Sequence, residues 1–131
     1  MRPANELLLR SLGMNALFSA ISGCLMLLFA DWIAAQLGLA GPASVYGVAV
    51  FLLIFAAQLA NIRRTGVIRD WEIVGIIAGD LAWVAASVVL AVMYRTSISA
   101  IGLLLIDSVA LVVLAFALMQ MRGLHFYRAG S

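Results

Sequence analysis

Two aspartates, Asp80 and Asp107, stand inside long apolar runs, and an acid in such a setting can do only a few things. It can hold a proton, pair with a cation, or serve as a hydrogen-bond anchor between helices. Counted along a helix from Asp70, Asp80 lies about 15 Å deep, and counted from Ser99, Asp107 lies about 12 Å deep. A central aspartate costs roughly +2.5 to +3.5 kcal/mol on insertion scales, so each must be neutralised, hydrogen-bonded or hydrated. No arginine of the sequence is placed at that depth. If the two acids meet, they can share a proton, and proton-coupled or cation-coupled movement becomes chemically accessible.

Polar residues at helical spacing supply the partners such acids need. Ser11, Asn15, Ser19 and Ser22 fall on one face of the first apolar run, and Gln58 and Asn61 stand at the inner end of the second. On the third run, IVGIIAGDLAWVAASVV, Ser87 aligns with Asp80 on one stripe, and Trp83 lies one turn away. The ion or substrate pathway candidates are therefore Asp80, Asp107, Asn15, Gln58, Ser87 and Trp83. The same residues also have a plainer reading as interhelical hydrogen-bond glue, with Trp83 packed in the interior.

Other chemistry lacks its parts. His125 stands near the end of the chain and Cys24 is the one cysteine, so no metal set, haem ligation or thiol pair can be assembled, and no cofactor is expected. The sequence has no HExxH, no phosphate-cradling glycine loop and no nucleophile flanked by a base. Enzymatic catalysis is disfavoured, although two acids alone do not exclude it. The net charge of +2 comes from arginines at the ends of apolar runs, an arrangement that sets topology and does not suit nucleic acid.

The elements that must carry these residues follow from composition. With 66% hydrophobic and 11% charged residues in 131, the chain has far more apolar surface than a soluble core of that size can hide. The sequence predicts an all-α integral membrane four-helix bundle formed as a single domain. Runs long enough to cross about 30 Å of hydrocarbon lie near 12–30, 43–62, 73–93 and 98–121. Connectors DWIAAQLGLAGPAS, RRTGVIRDWE and YRTS separate them. The first run continues through Gly23 and Cys24 into LMLLFA, which marks a retained helix and not a cleaved signal peptide.

Arg2, Arg10, Arg63, Arg64, Arg69, Arg122 and Arg128 fall on one side of this arrangement and Arg95 alone on the other. The rule that cytoplasmic loops carry the excess of Lys and Arg places both termini in the cytoplasm. Trp32 and Tyr94 then mark the outer interface and Trp71 and Tyr127 the inner one. Asp31 is expected to cap a short interfacial helix carrying Trp32, Ile33, Leu37 and Leu39, broken by Gly41 and Pro42.

The third run has a second pattern. Gly75, Gly79, Ala82 and Ala86 form one small-residue seam, rotated about 120° from the Asp80 stripe. In lipid, close backbone approach over small residues is a main source of helix association, so these four are the helix-packing candidates.

At NALFSAISG, GDLAWVAAS and LMQMRGL the chain resembles a group of small, uncharacterised four-helix bacterial membrane proteins, over nearly its whole length. The resemblance implies a multi-pass protein of the bacterial inner (cytoplasmic) membrane and carries no activity with it. Three functional readings remain. The first is association through helices, as a homo-oligomer or an accessory subunit of a larger membrane complex, with the lipid bilayer as its other partner. The second is a proton- or cation-linked small transporter or channel using Asp80 and Asp107. The third is a lipid-binding protein with Trp83 beside an interhelical cleft.

Overall fold

The computed structural model describes residues 3–130, with side chains described from Glu6 through Gly130. Among the described residues five helices follow in order: α1 (Pro3–Leu28), α2 (Ala30–Gln36), α3 (Ala43–Thr65), α4 (Asp70–Met93) and α5 (Ala100–Ala129). No strand occurs among the described residues, and α1, α3, α4 and α5 are each long and apolar enough to cross a membrane. The expected runs are present, but α1, α3, α4 and α5 all extend further at their charged ends than the apolar windows suggested. Amphipathic turns continue a helix after its hydropathy has fallen, because the buried stripe persists: Leu8 and Leu9 precede the first window, and Gly123 and Leu124 follow the last, all of them buried. His125 consequently belongs to α5, where it is exposed, and does not lie in a loose tail.

The short helix after the first crossing exists, with two differences from expectation. Its N-cap is Phe29 and no side chain caps it, so Asp31 contributes only its charge in the first turn. It ends at Gly38 and not at Gly41 and Pro42. Leu39 N–H donates to Ala34 O (2.9 Å) and Gly38 N–H to Ala35 O (3.2 Å), the paired bonds of a Schellman turn. That turn needs a left-handed residue, and Gly38 has φ +73°. Gly66, at φ +71°, closes α3 in the same region of backbone space.

α2 is fastened to the start of α5. Ser99 N–H donates to Gln36 O at 2.9 Å and Ser99 Oγ to Gln36 Oε1 at 2.6 Å, while Ser99 Oγ accepts from Gly102 N–H as the N-cap of α5.

At the opposite end, Leu8, Leu9 and Leu12 of α1 meet Leu59 and Ile62 of α3, Ile73, Ile76 and Ile77 of α4, and Leu124 of α5 in one buried cluster. These contacts gather the start of α1, the end of α3, the start of α4 and the end of α5. Arg10, Arg63, Arg64, Arg69, Arg122 and Arg128 lie on the segments so gathered; Arg2, also counted on that side, lies outside the described residues. Arg128 is paired with Asp70 through two 2.6 Å bonds.

In close backbone contact, α3 packs on α1, α1 on α5, and α5 on α4, whereas no Cα of α4 comes within 8 Å of α1 or α3. Glycines permit two of these approaches: a Cβ on Gly23 would meet Leu53 of α3 at 2.9 Å, and one on Gly123 would meet Leu8 Cα of α1 at 2.9 Å. The outer surface is apolar as well, with Leu28, Leu104 and Leu111 each at least 66% exposed. A surface of that kind fits a multi-pass membrane protein, for which lipid is the solvent.

Candidate functional site

Three buried polar side chains from three helices converge inside the molecule. Asn15 of α1 donates through Nδ2 to Asp80 Oδ2 (2.9 Å) and to Gln120 Oε1 (2.9 Å), and Gln120 of α5 donates through Nε2 to the same Asp80 Oδ2 (2.9 Å). Ser19 Oγ, one turn along α1, donates to Asn15 Oδ1 at 3.2 Å. Asn15 is 1% exposed, Gln120 0% and Asp80 5%. The local reason is helical spacing: Ser11, Asn15 and Ser19 recur every fourth residue and all three turn inward. Ser11 closes onto its own helix, donating to Leu8 O at 2.8 Å.

This ring joins helices whose backbones stay apart. α1 and α4 make no close Cα approach, yet Asn15 and Asp80 reach across the gap. Asp80 has no cationic partner among the described residues, so both of its hydrogen bonds come from neutral amides. In hydrocarbon such bonds replace the water the groups would otherwise need, and they fix the register of α1, α4 and α5 against one another.

Beside the ring is a cavity of about 40 Å³, bordered by Asn15, Ser19 and Ser22 of α1, Phe55 of α3, and Asp80 and Trp83 of α4. A water needs about 10–15 Å³ measured this way, so the space admits a few waters and nothing drug-sized. The indole Nε1 of Trp83 is buried and has no hydrogen-bond partner among the described residues. The cavity therefore borders a carboxyl, an amide, two hydroxyls and a residue with an unsatisfied N–H donor, a set that suits a hydrated proton site or a small polar guest.

The other candidates fall elsewhere. Asp107 is exposed on α5, about 20 Å along that helix from Gln120, and makes no hydrogen bond among the described residues. The two acids are therefore not a pair: in an antiparallel arrangement, depth counted from the charged end of α4 puts Asp80 level with Gln120 and leaves Asp107 towards the other end. Gln58 is exposed and makes one long 3.5 Å bond to Glu72, and Asn61 accepts from Arg64 Nη2 at 3.0 Å, so neither joins Asn15 in a continuous polar track. Ser87 is buried but donates to Trp83 O on its own helix, at 2.8 Å.

Gln120 was not legible as a site residue, because the fourth apolar run looks finished at Met121. The signal available was the helical spacing of Ala117, Gln120 and Leu124, which the structure buries on one stripe that runs past Arg122.

The seam of α4 faces outward. Gly75, Gly79, Ala82 and Ala86 are all exposed, and nothing lies within 4 Å of a Cβ built on Gly75 or Gly79. No metal-binding group of His, Cys, Asp and Glu occurs among the described residues, and Cys24 is exposed without a partner thiol. The chain matches no protein-family model, no curated protein and no solved structure.

Proposed function

We propose that the chain is a four-helix bundle of the bacterial inner membrane, with both termini cytoplasmic, that works by associating with other transmembrane helices. It does so as a homo-oligomer or as an accessory subunit of a membrane complex. The observation that carries this reading is the exposed seam of α4, where nothing among the described residues lies within 4 Å of a Cβ built on Gly75 or Gly79. A second helix packing there gains close van der Waals contact that lipid tails match poorly. The connectors are too short to offer much surface to a soluble partner.

The test is Gly75→Leu, which fills the seam away from the cavity beside Asp80, a cavity that Gly79 also borders. The dissociation constant of the assembly, measured in lipid bilayers by single-molecule colocalisation or in detergent by sedimentation, is expected to rise at least tenfold. An unchanged constant, together with unchanged recovery of co-purifying membrane proteins, refutes the reading.

A second reading rests on the small cavity next to Asp80. In it, Asp80 carries a proton or small cation through a water-accessible site bounded by Asn15, Ser19 and Trp83. Asp107 takes no part as a partner of Asp80. Asp80→Asn, which keeps an acceptor oxygen for Asn15 and Gln120, is expected to abolish pH-coupled flux in proteoliposomes; full coupled flux in that variant removes the reading.

A further inference from the structure

α1 and α3 leave a long open groove on the side away from the buried ring, with a volume of about 1010 Å³. Its walls are of two kinds. Along most of its length they are small and apolar, with Gly13, Ala57 and Ala60 among them, and at one end three arginines, Arg10, Arg63 and Arg64, stand around the mouth with Glu6. None of the three arginines forms an ion pair among the described residues, and only Arg64 has a side-chain hydrogen bond, to the neutral Asn61. Glu6 forms no ion pair with them among the described residues, and three positive charges against one negative leave the mouth net positive.

The dimensions decide what fits. From Arg64 to Leu53 the groove runs about 16 Å along α3, which is close to one leaflet's half of a hydrocarbon layer about 30 Å thick. Gly13 has a specific part, because a Cβ there would meet the side chain of Arg63. The absent side chain lets Arg63 lie across α1 and hold its guanidinium over the groove. Guanidinium groups bind phosphate oxygens in bidentate fashion, and a basic mouth above an apolar channel matches a molecule with an anionic head and an acyl tail.

We infer that this groove is a binding site for one anionic phospholipid, its headgroup phosphate held by Arg10, Arg63 and Arg64 and an acyl chain lying along α1 and α3. The inference rests on the chain being embedded in a membrane, which extraction of native membranes with alkaline carbonate checks separately. Solubilisation by carbonate would overturn the membrane reading itself.

The experiment is lipid titration of the purified full chain in detergent, read by native mass spectrometry. Phosphatidylglycerol is compared with phosphatidylcholine carrying the same acyl chains. At about fivefold per basic residue near a lipid headgroup, Arg63→Gln combined with Arg64→Gln is expected to lower the preference for phosphatidylglycerol by about 25-fold. Ala57→Trp, which fills the exposed apolar part and leaves every charge in place, is expected to weaken phosphatidylglycerol binding about tenfold. Inorganic phosphate in excess is expected not to displace the lipid. Equal retention of the two lipids by the unaltered protein overturns the proposal, as does an unaltered preference in the double-arginine variant. Unchanged binding in Ala57→Trp refutes the groove and leaves only a surface charge effect. Should either variant fail to fold, the unaltered protein still decides the matter: the preference must fall as salt rises from 0.05 M towards about 1 M, where screening acts within about 3 Å, and a salt-independent preference refutes the arginine headgroup site.

Discussion

Replacing Gln120 by leucine tests whether the buried ring holds the helices together. The substitution keeps the approximate volume and the helix propensity of the position, and it removes two of the three ring bonds, to Asp80 Oδ2 and from Asn15 Nδ2, each 2.9 Å long. Interhelical hydrogen bonds in membranes average about 0.6 kcal/mol and reach about 1.7, so the two bonds together are worth about 1–3 kcal/mol. One amide hydrogen of Asn15 is also left without an acceptor in a site 1% exposed, which adds cost at the upper end of that range. Asp80 keeps the bond from Asn15, so complete unfolding is not expected. The measurement is reversible unfolding in mixed micelles, with Leu118→Ala on the exposed face of the same helix as a control expected to cost less than about 1 kcal/mol. A loss of about 2 kcal/mol for Gln120→Leu supports the ring as the tie between α1, α4 and α5. A loss indistinguishable from the control refutes it.

Asp80→Leu is expected to cost more than Asp80→Asn in the same assay, by about 2 kcal/mol or more, since leucine strands the donors of both Asn15 and Gln120 whereas asparagine still offers them an oxygen; equal losses refute the ring's role as an acceptor site. Gly123→Ala should destabilise by about 1–3 kcal/mol, because its new methyl meets the backbone of Leu8, which cannot turn aside, and a neutral result shows that α1 and α5 separate freely there. Asp70→Asn breaks only an ion pair whose two side chains are 53% and 54% exposed, and unfolding measurements should register no loss outside scatter; a clear loss would show that this end is held by charge. With Cys24 replaced by serine, a membrane-impermeant maleimide applied to intact cells should label Ser97→Cys and spare Val67→Cys, and the reverse pattern overturns the proposed orientation.

Helix count and class were written into the sequence, because the need to satisfy backbone groups in lipid permits few structures and four apolar runs of sufficient length are visible without any partner information. The shared face of Ser11, Asn15 and Ser19 and the separate faces of Asp80 and the Gly75 seam were equally readable, since both follow from 100° per residue within a single helix. Helix ends were not. Gly123 and Leu124 continue α5 for reasons of contact with α1, and a hydropathy window ends where the charges begin.

What only the tertiary structure decided is which polar groups meet. Depth counted from each helix end made Asp80 and Asp107 look like neighbours, yet the partner of Asp80 is Gln120, a residue that seemed to lie at the membrane exit. The reason is that pairing across helices depends on their relative shift and rotation, which the packing of α4 on α5 and of α5 on α1 decides. Periodicity within one segment carries no record of either quantity. The arginine-rimmed groove is of the same kind: Arg10 and Arg63 are far apart in the chain, and only the packing of α1 on α3 brings them to one mouth.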